Sequence, residues 1–229
     1  MILSKKIIDL THPLHDKIPT WTGGCGFSYQ NKIDYDQGLR AQSLRMHAGI
    51  GTHMDAPTHF VKGGKSISDI DLHDLILPMH ILDASNLVDQ GFALSIADIK
   101  AYEEKYGKII KGSFFALYTG WEKHWETPEK YRNLDENGIM HFPHYSPDAG
   151  AYLLEKGIKG LGIDTLSPDP EVALSKTPFP VHHMILGEGG YIVENLANLS
   201  KVGPHASAIL LPLAFKDGTE SPMRAVAMV

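Results

Sequence analysis

The ten residues Gly51–Phe60 (GTHMDAPTHF) place two histidines and an aspartate on a stretch that Pro57 divides, with Gly49 and Gly51 ahead of His53. No other segment constrains the fold as much. His53 and Asp55 are two apart, and in an extended segment side chains at i and i+2 share one face. An imidazole and a carboxylate on one face can chelate a divalent ion. Pro57 bends the chain before His59, which could be a third ligand or stand beside the metal as a proton donor and acceptor. Small residues at positions 49 and 51 let backbone approach a metal or ligand closely. A lone His near an Asp is more often a capped turn or a surface pair, so the density of the segment carries the reading.

A second cluster lies far downstream in FPVHHMILGEGGYIVENLANL, Phe179–Leu199. His182 and Glu194 are twelve residues apart, and the glycines of GEGG allow a tight reversal that brings both to one site. Taken alone, His182 and His183 read as surface residues and Glu194 as a solvated carboxylate. The chain holds 13 histidines, five of them between His47 and His80. Histidine is the commonest metal ligand and titrates near neutral pH, so such clustering points to metal or proton chemistry.

Composition narrows the class. With 229 residues the chain suits one large domain, residues 1–229, and no repeat or linker-like stretch divides it. The net charge is −6, and no basic stripe indicates a nucleic-acid partner. A single cysteine, Cys25, excludes a disulfide-stapled domain. The start, MILSKKIIDL, lacks the apolar run of a signal peptide, and AILLPLAF is too short to span a bilayer. A cytoplasmic protein with no membrane partner is the expectation.

Periodicity places strands at KIIDLTHPL, Ile76–Asp83, SFFALYTGW, KGLGID, AILLPLAF and MRAVAMV, with a mixed strand and loop over Leu44–Phe60. The spacing predicts helices over Ser95–Tyr106, capped by Ser95 and stopped by Gly107, and over Ser146–Lys156. IPTWTGGCG reads as a loop, KDGTESP as a turn, and the stretch from Gly120 to Pro147 as an excursion over the site or a neighbouring subunit. Glu188–Leu199 is ambiguous at its β-rich YIV. The fold class is α/β or α+β with a mixed sheet.

The segments DLTHPL, IPTWTG, GTHMDAPTHF, TGW, GIDTLSPD, HHMILGEGGYIVENLANL and SPMRAVAM run from the first strand to the last. Together they resemble the cyclase-type metal-dependent hydrolase family, which includes bacterial kynurenine formamidase and isatin hydrolase. The resemblance implies an α/β domain around a mixed, barrel-like sheet with flanking helices, assembled as homodimers or homotetramers. It implies His53, Asp55, His182 and Glu194 as metal ligands, His59 as the catalytic proton donor and acceptor, and Trp21 as an aromatic contact to substrate. The implied cofactor is zinc or manganese, one or two ions per subunit.

One position departs from the family pattern. The family's core begins with a further histidine four residues before the one matching His53, and here that residue is Gly49. The nearest histidine is His47, a possible additional ligand. A single ion, a shifted role for His47, or a second ion completed by water would each accommodate the change.

The expected reaction is hydrolysis of a carbon–nitrogen amide bond, with N-formylkynurenine the leading substrate and a cyclic amide or lactone such as isatin the alternative. From a different class, a metal-binding protein that has lost activity is the competing reading, supported by Gly49. Trp21 favours an aromatic small molecule, and Phe27, Tyr29 and Trp121 are candidates to extend an aromatic pocket. His12, His15, His141 and His144 read as surface or hydrogen-bonded residues, with the last two also candidates for a substrate entrance. Cys25 has no identifiable base partner, so no cysteine nucleophile is expected.

Overall fold

A computed structural model describes residues 6–87, 91–171 and 178–229. The reading of MILSKKIIDL falls in part on residues 1–5, which lie outside the described residues. In chain order the elements are β1 (Ile7–Asp9), β2 (Ser28–Ile33), β3 (Ala41–Arg45), β4 (His53–Asp55), β5 (Ile76–Asp83), β6 (Ala93–Leu94), α1 (Ile96–Tyr106), β7 (Phe114–Tyr118), α2 (Pro128–Arg132), β8 (His144–Tyr145), α3 (Pro147–Glu155), β9 (Gly160–Ile163), α4 (Pro180–Gly187), β10 (Tyr191–Glu194), β11 (His205–Pro212) and β12 (Glu220–Met228).

The main sheet closes on itself. β12 pairs with β11 along one edge, and with β4 and then β1 along the other. The order β12-β11-β5-β7-β9-β10-β4 therefore returns to β12 as a mixed barrel of seven strands. β5, β7, β9 and β10 run parallel. Such strands are covered on both faces, which is why FFALY and YIVE read as near-continuous apolar runs. The segments between these strands carry α1, α3 and α4, the crossovers that parallel pairing requires. The barrel-like α/β expectation from the family resemblance is met.

Alternation along the strands separates two apolar regions. Met54, Met79, Phe114, Ala116, Val193, Leu210 and Ala225 fill the barrel. Phe115, Leu117, Leu161, Ile163 and Ile192 point the other way, against Ile99, Leu153, Val181 and Ile185 of the helices. Gly162 faces the crowded interior, where an added Cβ would lie 2.4 Å from the Phe114 ring, so only glycine fits. A third cluster joins Ile18, Ile50, Trp121, Trp125, Tyr131, Met140, Phe142 and Leu166. It anchors the excursion after Gly120 through Trp121, Trp125, Tyr131, Met140 and Phe142.

Local signals succeeded where a cap or a long apolar run was present. Ser95 and Asp98 form a reciprocal capping box at α1, and β5 spans the expected Ile76–Asp83. β2, β3, α4 and β12 differ from expectation. The β2–β3 hairpin and α4 carry no strong local signal: the hairpin strands are largely exposed, and α4 is eight residues long with no side-chain cap of its own at Phe179. β12 begins at Glu220, inside the segment expected to be a turn. Ser221-Pro222 reads as a breaker, yet Pro222 sits where β12 changes partner from β4 to β11. Among the described residues no helix is long and apolar enough to cross a membrane.

Candidate metal centre

Strand register assembles the site. β4 lies between β10 and β12, with His53 opposite Glu194 and Asp55 opposite Glu220. Directly opposed residues of an antiparallel pair share a face. Met54 points into the barrel, so His53, Asp55, Glu194 and Glu220 stand together on its outer surface. α4 delivers His182 onto the same face, and its ring stacks on Phe60 at 4.8 Å.

Four side chains form a closed ring. His53 Nε2 lies 3.5 Å from Asp55 Oδ1 and 3.3 Å from Glu194 Oε2. His182 Nε2 lies 3.4 Å from Asp55 Oδ2 and 3.3 Å from Glu194 Oε1. All four residues are buried. The other ring nitrogens are engaged: His53 Nδ1 donates to Gly51 O at 2.9 Å, and His182 Nδ1 donates to Asp169 Oδ2 at 2.8 Å. Those bonds turn both Nε2 lone pairs toward the two carboxylates.

Lone pairs facing carboxylates need a cation or protons between them. Burial lowers the basicity of His53, but Asp55 and Glu194 outweigh it and lift the imidazole above its ordinary value. For His182, burial is likewise outweighed, by hydrogen bonds to Asp169, Asp55 and Glu194, and its pKa is raised well above the ordinary value. Burial and then the Asp55 charge push Glu194 up to about 7. Asp55 Oδ1 has no hydrogen-bond partner among the described residues. Each imidazole Nε2 lies 3.3–3.5 Å from one oxygen of Asp55 and one of Glu194, and two ligands about 2.0–2.2 Å from a shared tetrahedral ion lie about 3.3–3.6 Å apart. The donor set thus fits a divalent ion with mixed nitrogen and oxygen ligands. Two groups of potential ligands share Asp55: Asp55–His182–Glu194 and His53–Asp55–Glu220.

Asp169 supports the site from below. Its carboxylate accepts from Val181 N and His182 N, both at 2.9 Å, and from the His182 ring. It therefore satisfies the free N–H groups at the start of α4 and orients a site imidazole at once. Asp169→Asn is expected to weaken divalent metal binding about 10–100-fold, the usual effect of losing such a partner. A competition titration against a chromophoric chelator reads it.

His59 ends the 3-10 turn Pro57–His59 and joins neither group of potential ligands. Its ring centroid is 6.5 Å from that of His182, its Nδ1 is 3.5 Å from Glu220 Oε2, and it is about one-third exposed. It lines a cavity of about 330 Å³ together with the four ring residues. Trp21, Phe60 and Phe179 supply the aromatic lining, with Phe179 5.7 Å from Trp21 and 5.9 Å from Phe60.

The possible additional ligand lies apart from the ring. His47 joins neither group of potential ligands, because its ring packs over Gly26, where even a Cβ would collide with it. Of the aromatic candidates, Trp121 is buried in the third apolar cluster, Phe27 packs against that cluster and Tyr29 is exposed. His141 pairs with Asp135, His144 is buried against Phe142 O, and neither lines the cavity. His12 stacks on Trp125. Cys25 Sγ lies near His15 O and Phe27 N, outside the cavity. Sequence reasoning missed Asp169, Glu220, Phe60 and Phe179. Phe60 and Asp169 sat inside quoted motifs, GTHMDAPTHF and GIDTLSPD, while Glu220 had no local signal.

Known proteins share this fold. The model of the Cyclase family matches residues 8–170. An isatin hydrolase of Roseibium aggregatum is 37% identical over 189 residues, 78% of this chain and 71% of that protein. A kynurenine formamidase of Bacillus mycoides is 32% identical over 221 residues, 96% of this chain and 95% of that protein. The solved structure of isatin hydrolase A from Labrenzia aggregata, bound to benzyl benzoate, superposes with a TM-score of 0.92 at 30% identity, covering 99% of this chain and 94% of that one.

Proposed function

Since the chain belongs to the Cyclase family and is a metal-dependent hydrolase, we propose that it cleaves the carbon–nitrogen bond of a small aromatic amide, with N-formylkynurenine as the leading substrate. The observation that carries this reading is the buried ring of His53, Asp55, His182 and Glu194 opening on a cavity walled by Trp21, Phe60 and Phe179. In this reading the four ring residues are ligands to zinc or manganese, with Asp55, His182 and Glu194 together on one ion. A divalent ion supplies Lewis acidity, polarising a carbonyl and bringing the pKa of water to about 7.

The chain's own residues do the rest. The aromatic walls seat the substrate ring and keep water from its faces. His59 stands at the cavity edge, beside the ring rather than in it. There it takes a proton from the attacking water and gives it to the amide nitrogen, which leaves as a neutral amine. For N-formylkynurenine the products are kynurenine and formate. Asp169 and the Gly51 carbonyl keep both ring imidazoles oriented throughout.

A second reading is ring-opening of a cyclic amide of the isatin type, favoured by the 0.92 superposition on isatin hydrolase A. The enzyme is taken as a cytoplasmic homodimer or homotetramer. Exposed Tyr29, Ile33 and Leu44 on the β2–β3 hairpin support a self-association surface.

Metal-stripped protein reloaded separately with zinc and manganese tests the substrate. Formate and kynurenine released only after reloading is the expected result. Turnover of isatin but not of N-formylkynurenine would transfer the assignment to the cyclic amide. No turnover of either, with metal bound, would make the protein a binding protein instead.

A further inference from the structure

Glu220 enters the site from the far end of the chain, out of the segment KDGTESP that reads as a turn. β12 places it directly opposite Asp55. Its side chain is 22% exposed, so most of it is already withdrawn from water. The carboxylate occupies the space that Gly49 leaves open: a Cβ built on Gly49 would lie 2.0 Å from Glu220 Oε1 and 3.4 Å from His53 Nε2. The other oxygen, Oε2, faces His59 Nδ1 at 3.5 Å and takes a 3.4 Å contact from Thr219 Oγ1.

Two independent observations point to a cation beside Glu220. His53, Asp55 and Glu220 each present a ligand atom, all within 4.8 Å of one another. Asp55 Oδ1, on the His53 side of the aspartate, is buried with no hydrogen-bond partner among the described residues. Asp55 Oδ2 meanwhile faces His182 on the other side. An aspartate whose two oxygens serve two ligand groups is the arrangement of a bridged two-metal centre, whose ions lie about 3.5–4 Å apart.

We propose that Glu220 completes a second divalent-metal position with His53 and Asp55, its carboxylate filling the room that glycine at position 49 provides. The inference rests on the reading of Asp55, His182 and Glu194 as the ligands of a first ion, which leaves the one free ring nitrogen of His53 to serve the second. Carboxylate and imidazole ligands with water completing the shell suit manganese or zinc at this position. Of the two positions it is the more open to solvent, so its ion exchanges more readily than the first.

Manganese titrated into the metal-stripped full chain tests this, followed by calorimetry and electron paramagnetic resonance. The wild type is expected to take two ions in two steps, with a spin-coupled signal at the second equivalent. Glu220→Ala is expected to take one ion, with the first step unchanged and only the spectrum of an isolated ion. Retention of the first step shows that the variant is folded at the site. Should Glu220→Ala not fold, Glu220→Gln reads the same loss, since an uncharged amide oxygen is a poor substitute for a carboxylate. Two coupled ions in the Glu220 variant would overturn the proposal and leave Glu220 as a partner of His59 alone. One ion in the wild type would overturn the second position while leaving the first intact. No ion in the wild type would remove both readings.

Discussion

Replacing His59 with alanine is expected to lower turnover by about 10²–10⁴-fold, the range for losing a general acid–base group, while metal content stays at the wild-type level. The geometry separates the two effects. His59 is in neither group of potential ligands, and its imidazole is partly open to the cavity rather than buried in the ring. An amide nitrogen leaves poorly unless it receives a proton, so the loss should fall on kcat more than on KM. Substrates with better leaving groups, such as an aryl ester of the same shape, should lose less because they need less protonation. Metal analysis of the purified variant beside steady-state kinetics reads both quantities. A variant that lost its metal would make His59 a ligand and would require another proton carrier.

Removing Asp55 should have a different signature. Both ligand groups share this residue, so Asp55→Ala is expected to bind neither ion and to show no metal-dependent turnover. Thermal melting gives a readout free of activity. A ligand at 100 times its Kd stabilises the folded state by about 2.7 kcal/mol, and a chain of this size shifts by about 2–4 °C per kcal/mol. Adding metal should therefore raise the wild-type Tm by about 5–10 °C and leave that of Asp55→Ala unmoved. Without metal, the variant also loses the carboxylate that helps lift Glu194 to about 7, so Glu194 should titrate lower. A normal metal content in Asp55→Ala would remove the basis of the site.

Much of the site was legible because its chemistry is locally spaced. His53 and Asp55 share a face in any extended segment, and β4 is such a segment. His182 and Glu194 were joined to them by resemblance, and the structure brings all four to one ring. Their distance in sequence is spanned by the α4–β10 reversal. The helix that carries His182 was not legible, because its N-terminal N–H groups are satisfied by Asp169 rather than by a residue at the cap. A cap supplied from another segment leaves no mark at the helix start.

Local spacing and donor chemistry were thus enough to determine a mixed sheet of the α/β or α+β class, the β4 face and a donor set suited to a divalent ion. The tertiary structure alone decided three things: that Glu220 stands opposite Asp55, that His47 turns away over Gly26, and that Phe60 and Phe179 join Trp21 in lining the cavity. Each depends on which strand edges meet when β12 closes the barrel against β4. Closure is set by packing between residues far apart in the chain, where a shift of one residue would turn Glu220 to the opposite face.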